Sequence, residues 1–258
     1  MIKHDFRQAM CNLYFPCAVI ALVVFLVYGD YEDIFYGGSD GLLGMLQYSV
    51  TLSYLPYLIP VLVVMPYAGC LQEELHSGYR YSTLSRSNRR AYLRGKIVTA
   101  FFSGVLVMLL SILIFLLIAG SVSYYGFSIG GYEIFGQYGT LQRLFNMKMP
   151  GVVLILKIFL LLLYAGYWSL LSLLCVLLVK NQYLALALPF FINLVTRYCA
   201  MSLGLYVLHP YYHTLSLGVQ FPNAPLGGVP ISVGYYLISY VVFGWLFCKK
   251  MKEVWNDE

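Results

Sequence analysis

Long apolar runs separated by short polar segments dominate the chain. They fall at about 12–29, 45–71, 97–124, 152–179, 183–203 and 229–248. About 20 mostly apolar residues cross the roughly 30 Å hydrocarbon core of a bilayer, so each run predicts a membrane span. Helices are the expected form, because a backbone polar group in lipid must find its partner within its own segment. The alternation of a membrane barrel is absent: residues 105–118 read as apolar on every face. The expected fold is an all-α integral membrane protein, with six transmembrane helices in a single transmembrane domain over residues 1–258.

The polar segments set the orientation. Lys3 and Arg7 precede the first run. The segment after the second holds Arg80, Arg86, Arg89, Arg90, Arg94 and Lys96, with no acid between 76 and 96. Lys180 follows the fourth run, and Lys249, Lys250 and Lys252 follow the sixth. Basic connections stay in the cytoplasm, and these alternate correctly for both termini to lie inside. The opposite connections differ: Asp30, Glu32, Asp33 and Asp40 in the first, Glu133 with Arg143 and Lys148 in the second, and no full charge in the third. The third, 204–228, is apolar enough to re-enter the membrane edge.

Composition agrees. Of 258 residues, 60% are hydrophobic and 10% charged, and mean hydropathy is +0.76. Soluble domains are nearer a quarter charged. The net charge of +5 is explained by membrane orientation, so no nucleic-acid partner is expected. Six cysteines without a CxxC pair indicate neither a zinc site nor a disulfide framework. Residues 3–28 have the basic start and apolar core of a signal peptide, and are expected to persist as the first span.

The connection between the second and third runs carries the most information. It opens Gln72-Glu73-Glu74-Leu75-His76-Ser77-Gly78, acids first and bases later, as a short helix favours. Residues 85–96 then read as an amphipathic stretch along the inner surface. Such a segment serves as a topology-setting loop attracted to anionic lipid or as a docking surface for a cytoplasmic partner.

At this point the chain resembles the permeases of type-2 ATP-binding-cassette (ABC-2) exporters. The resemblance rests on Glu73-Glu74-Leu75-His76-Ser77-Gly78, then Leu84-Ser85-Arg86-Ser87-Asn88-Arg89-Arg90, then Lys96. It extends to chain length, six spans, an interfacial amino-terminal helix (2–11) and a long outer segment between the last two spans. Relatives often carry a proline in the Ser/Arg patch, and none occurs between Gly78 and Lys96.

The resemblance implies a multi-pass permease subunit of a bacterial plasma membrane. It would pair with a second permease copy or a paralogue and rest on two copies of an ATPase subunit. ATP and magnesium would bind that partner, leaving this chain without a cofactor and without catalytic residues. Glu73, Glu74, His76, Gly78, Arg80, Arg86, Arg89 and Arg90 would form the coupling helix against the ATPase. Spans two and five would line the pathway, with Pro56, Pro60, Pro189, Asn193 and Arg197 as its candidate residues. The cargo would be amphipathic: an antimicrobial peptide, a lipid-like molecule or a drug.

Other readings stay open. Prolines are common in membrane helices and are satisfied by neighbours. Arg197 lies about 25 Å from Lys180 along a helix, where it either snorkels to outer headgroups or faces an anionic group in a cavity. Lys157 is expected to snorkel at the outer face. His209 and His213 are four apart, but Pro210 intervenes and no third ligand is evident, so no metal is expected. Interfacial belts account for many of the 25 tyrosines. No GxxxxGK[ST] phosphate loop or HExxH occurs. An intramembrane protease would want EExxxR, and Arg80 is too far from Glu73-Glu74. A non-transporting membrane subunit, such as an immunity protein, is the third alternative.

Overall fold

The computed structural model describes residues 2–36, 41–52, 54–76, 88–123, 126–129, 141, 146–179, 181–215 and 228–256. Among them the regular structure is entirely helical. Five helices are long and apolar enough to cross a membrane, and a sixth span forms if a bent pair counts as one.

That pair is α1 (Ile2–Met10) and α2 (Tyr14–Gly29), bent by 49° at residues 11–13. Asn12 sits at the bend and donates to Cys70 Sγ at 3.2 Å. A short α3 (Tyr31–Tyr36) follows.

The second run departs from one continuous span. It divides into α4 (Leu42–Leu52), α5 (Leu55–Leu62) and α6 (Met65–His76). Residues 55–75 are the part long and apolar enough to cross a membrane, and α4 is a separate helix fastened to α2 by Ser49, whose hydroxyl donates to Leu26 O at 2.8 Å. Proline chemistry accounts for two of the breaks. Pro56 and Pro66 occupy the first turns of α5 and α6, where a missing N–H costs nothing. Pro60 lies inside α5.

The third run lies in α7 (Arg89–Val122), capped by Asn88, whose side chain accepts from the Arg90 N–H at 3.1 Å. Residues 89–96 are therefore the first two turns of this span, not a separate surface helix. The last long helices are α8 (Pro150–Leu178), α9 (Gln182–Ser202) and α11 (Gly228–Asn256). Between α9 and α11 lie a 3-10 turn (Tyr206–Leu208) and α10 (Pro210–Leu215).

Helix α8 is the axis of the bundle and packs on α7, α9 and α11. Of its most apolar stretch 67% is buried, against 22% for α9 and 17% for α11. Gly104 lets α7 approach α8 closely: a Cβ there would meet Ser169 Oγ at 1.8 Å. Lys157 corrects a sequence expectation, since it points into the bundle and is 1% exposed instead of snorkelling along the surface. Several tyrosines likewise belong to the core, not to a belt. Tyr92, Tyr164 and Tyr236 are fully buried, because their hydroxyls serve backbone or carboxylate oxygens inside.

Candidate functional site

Two polar clusters lie at opposite ends of the α5–α6 crossing, near Glu74 and near Tyr57, about 25 Å apart at 1.5 Å per residue.

The first gathers at the end of α6. Helical rotation turns Glu73 outward and Glu74 inward. Glu74 is paired with Lys96, from the second turn of α7. Tyr92, one turn earlier, donates its hydroxyl to the other Glu74 oxygen at 2.9 Å. Lys96 Nζ also lies 3.2 Å from Asp5 Oδ1 on α1. One ammonium, on a residue 1% exposed, therefore joins three segments of chain. Buried charge persists only when paired and hydrogen-bonded, so these residues fix α1, α6 and α7 relative to one another.

This cluster forms the root of the connection 77–87. Of the coupling residues expected there, Glu73, Arg89 and Arg90 are exposed beside it. His76 ends α6. Gly78, Arg80 and Arg86 lie outside the described residues. Glu74 faces into the protein, where it ties α6 to α7.

The second cluster begins with a backbone defect. Pro60 has no N–H, so the Pro56 carbonyl loses its helical donor. Two side chains replace that donor: Asn193 Nδ2 at 3.1 Å from α9 and the Tyr164 hydroxyl at 3.3 Å from α8. A similar repair follows at the next break, where the Ser169 hydroxyl donates to Val63 O at 3.3 Å. Pro56, Pro60 and Asn193 thus meet at one joint. Pro189 lies one turn before Asn193, inside α9.

Arg197, one turn after Asn193 on the same face of α9, lies over the rings of Tyr57 at 4.3 Å and Tyr211 at 5.0 Å. Tyr211 comes from α10, and its hydroxyl donates to Val50 O at 3.3 Å. Its N–H donates to His209 Nδ1 at 3.2 Å. Burial pushes the His209 imidazole down to about 4; the Asn193 main chain opposes the shift, and the Arg197 and His213 charges add to it. His213 is also lowered by burial. Its Nε2 lies 2.6 Å from Val207 O and its Nδ1 3.2 Å from Ser232 Oγ. Because the carbonyl only accepts, Nε2 carries the proton and Nδ1 accepts from Ser232. Thr214 and Tyr236 bond at 2.8 Å. The 3-10 turn and α10 are thereby fastened to α9 and α11.

No protein-family model, curated protein or solved structure matches this chain.

The geometry itself limits the chemistry. Among the described residues, no three His, Cys, Asp or Glu side chains converge on a metal position. The first cluster is a mechanical joint made of charges, and the second is a cationic, aromatic joint where the broken α5 meets α9 and α10. Sequence reasoning singled out Glu74, Pro56, Pro60, Asn193 and Arg197, and the structure assigns them to these two joints. It missed Asp5, Tyr92, Tyr57 and Tyr211. Asp5 carried a signal, as the lone acid of a basic terminus between Lys3 and Arg7. The tyrosines carried none, among 25 alike.

Proposed function

We propose that this chain is the transmembrane permease subunit of an ATP-driven exporter of the ABC-2 type. It would act in a bacterial plasma membrane and move an amphipathic cargo outward by alternating access. Two permeases would pair, and two ATPase subunits would bind ATP and magnesium on the cytoplasmic side.

The observation that carries this reading is the Asp5–Lys96–Glu74 joint. An external push on the connection 77–87 reaches the bundle through its two roots, α6 and α7. A buried ion pair between those roots, braced to α1, turns a loop displacement into a movement of α6. The α5–α6 crossing is hinged at its prolines and meets α9 at Pro56–Asn193. Movement of α6 is therefore felt at α9, the second expected wall of the pathway. The low burial of α9 and α11 within the chain further supports a second permease lying against the bundle.

The test is co-expression with an ABC-type ATPase encoded beside this chain. The complex is expected to co-purify, with ATP hydrolysis stimulated by the permease. Arg89→Glu with Arg90→Glu is expected to abolish that stimulation while the permease still folds. Labelling of a cysteine at position 89 from outside intact cells would overturn the orientation and the reading with it.

A further inference from the structure

We infer that Arg197 and His209 form a binding site for an oxyanion, the phosphate or carboxylate headgroup of an amphipathic molecule lying along α9.

Three observations carry it. Arg197 Nε and Nη1 have no hydrogen-bond partner, and no carboxylate among the described residues pairs with this guanidinium. The neutral rings of Tyr57 and Tyr211 cover it and the Tyr212 hydroxyl bonds to it, and all three hold a cation without neutralising it. His209 is 1% exposed, and its Nδ1 accepts the Tyr211 N–H. The neutral ring must then carry its proton on Nε2, which is turned toward the Asn193 main chain but makes no hydrogen bond of full geometry.

Orphan buried donors cost more than an ordinary hydrogen bond gains, and a buried cation costs more still without a counter-charge. Water would satisfy the donors but leave the charge. An oxyanion satisfies both, and the flat guanidinium fork matches its two oxygens. Arg197 is partly exposed, which gives a headgroup its approach. The flank of α9 beside it presents Phe191, Val195, Tyr198 and Met201, all more than half exposed, a track for an apolar tail. The site depends on the exporter reading only for where its ligand goes next; binding itself needs this chain alone.

The experiment uses the full chain in phosphatidylcholine nanodiscs without an ATPase. Phosphatidylglycerol or inorganic phosphate is added, and bound ligand is read by native mass spectrometry together with the melting temperature. Phosphatidylglycerol is expected to bind and raise the melt, and Arg197→Gln to weaken binding about tenfold or more. His209→Gln keeps a donor near Nε2 and is expected to retain binding, whereas His209→Phe is expected to lose it. Those two variants separate loss of the site from loss of the fold. Arg197-dependent binding of phosphate, with no further gain from phosphatidylglycerol, would support the oxyanion site and assign it a soluble ligand. Equal binding by wild type, Arg197→Gln and His209→Phe would overturn the inference. A chain that binds but does not export would leave it standing and remove the transport reading. An exporting chain with no Arg197-dependent binding would do the reverse.

Discussion

At the scale of single residues, the decisive event is one missing hydrogen. Pro60 leaves the Pro56 carbonyl without its helical donor, and Asn193 and Tyr164 supply the substitutes. Asn193→Leu is therefore expected to destabilise the protein by about 0.5–1.5 kcal/mol, the net worth of one hydrogen bond, because the Tyr164 hydroxyl still serves that carbonyl. In a Pro60→Ala background the restored N–H serves the same carbonyl, so the Asn193→Leu cost is expected to shrink. A double-mutant cycle on denaturation in detergent measures the coupling, and strictly additive effects would refute this account of the joint. The two histidines give a pH dependence at the same scale. Burial lowers both imidazoles from 6.5, His209 to about 4, so the folded state binds fewer protons than the unfolded one. Their contribution to stability is complete above pH 6.5 and declines as the pH falls toward 4. Amide exchange over 206–215, corrected for intrinsic rate, is expected to speed up between pH 7 and pH 5. His209→Gln with His213→Gln is expected to flatten that dependence. The prolines and Asn193 were legible as unusual residues. Their relation was not, because residues 56 and 193 are joined only by packing.

At the scale of helices, close approach decides. The α7–α8 contact depends on the absence of a side chain at Gly104, where an added Cβ would meet Ser169 Oγ at 1.8 Å and Ser169 Cβ at 2.9 Å. Gly104→Ala is expected to cost about 1–3 kcal/mol by overpacking, and Gly104→Ala with Ser169→Gly to recover only the steric part, because Val63 O then loses the Ser169 hydroxyl. Thermal unfolding of the purified chain checks both. Element existence was readable from apolar runs alone: five of the six expected runs match α2, α7, α8, α9 and α11 within a few residues at their apolar ends, α2 counting as a span only together with α1. Two failures share a physical cause. A run of hydropathy does not record breaks, so 45–71 reads as one span although its prolines start new helices at 55 and 65. Nor does hydropathy distinguish a basic surface helix from a basic extension of a span, and so residues 89–96 were placed along the membrane instead of within α7. The coupling helix expected between α6 and α7 lies largely outside the described residues.

At the scale of the whole molecule, a charge cluster and a broken span convert local chemistry into a lever. Buried ion pairs are weak evidence for stability, because replacing all members with apolar groups is often neutral, whereas removing one partner typically costs about 3–5 kcal/mol. The Asp5–Lys96–Glu74 cluster allows the two roles to be separated. Lys96→Met alone strands two carboxylates and is expected to destabilise by about that amount. The triple change Asp5→Asn, Glu74→Gln, Lys96→Met is expected to restore most of the stability. If the cluster only holds the fold, the triple variant should also restore function. If it transmits force between the connection 77–87 and the α5–α6 crossing, ATP hydrolysis should continue in the complex while export fails, because the neutral joint no longer ties α6 to α1 and α7. Melting curves and vesicle transport measured on the same preparations distinguish these outcomes. Full transport by a stable triple variant would place the motive linkage elsewhere in the bundle.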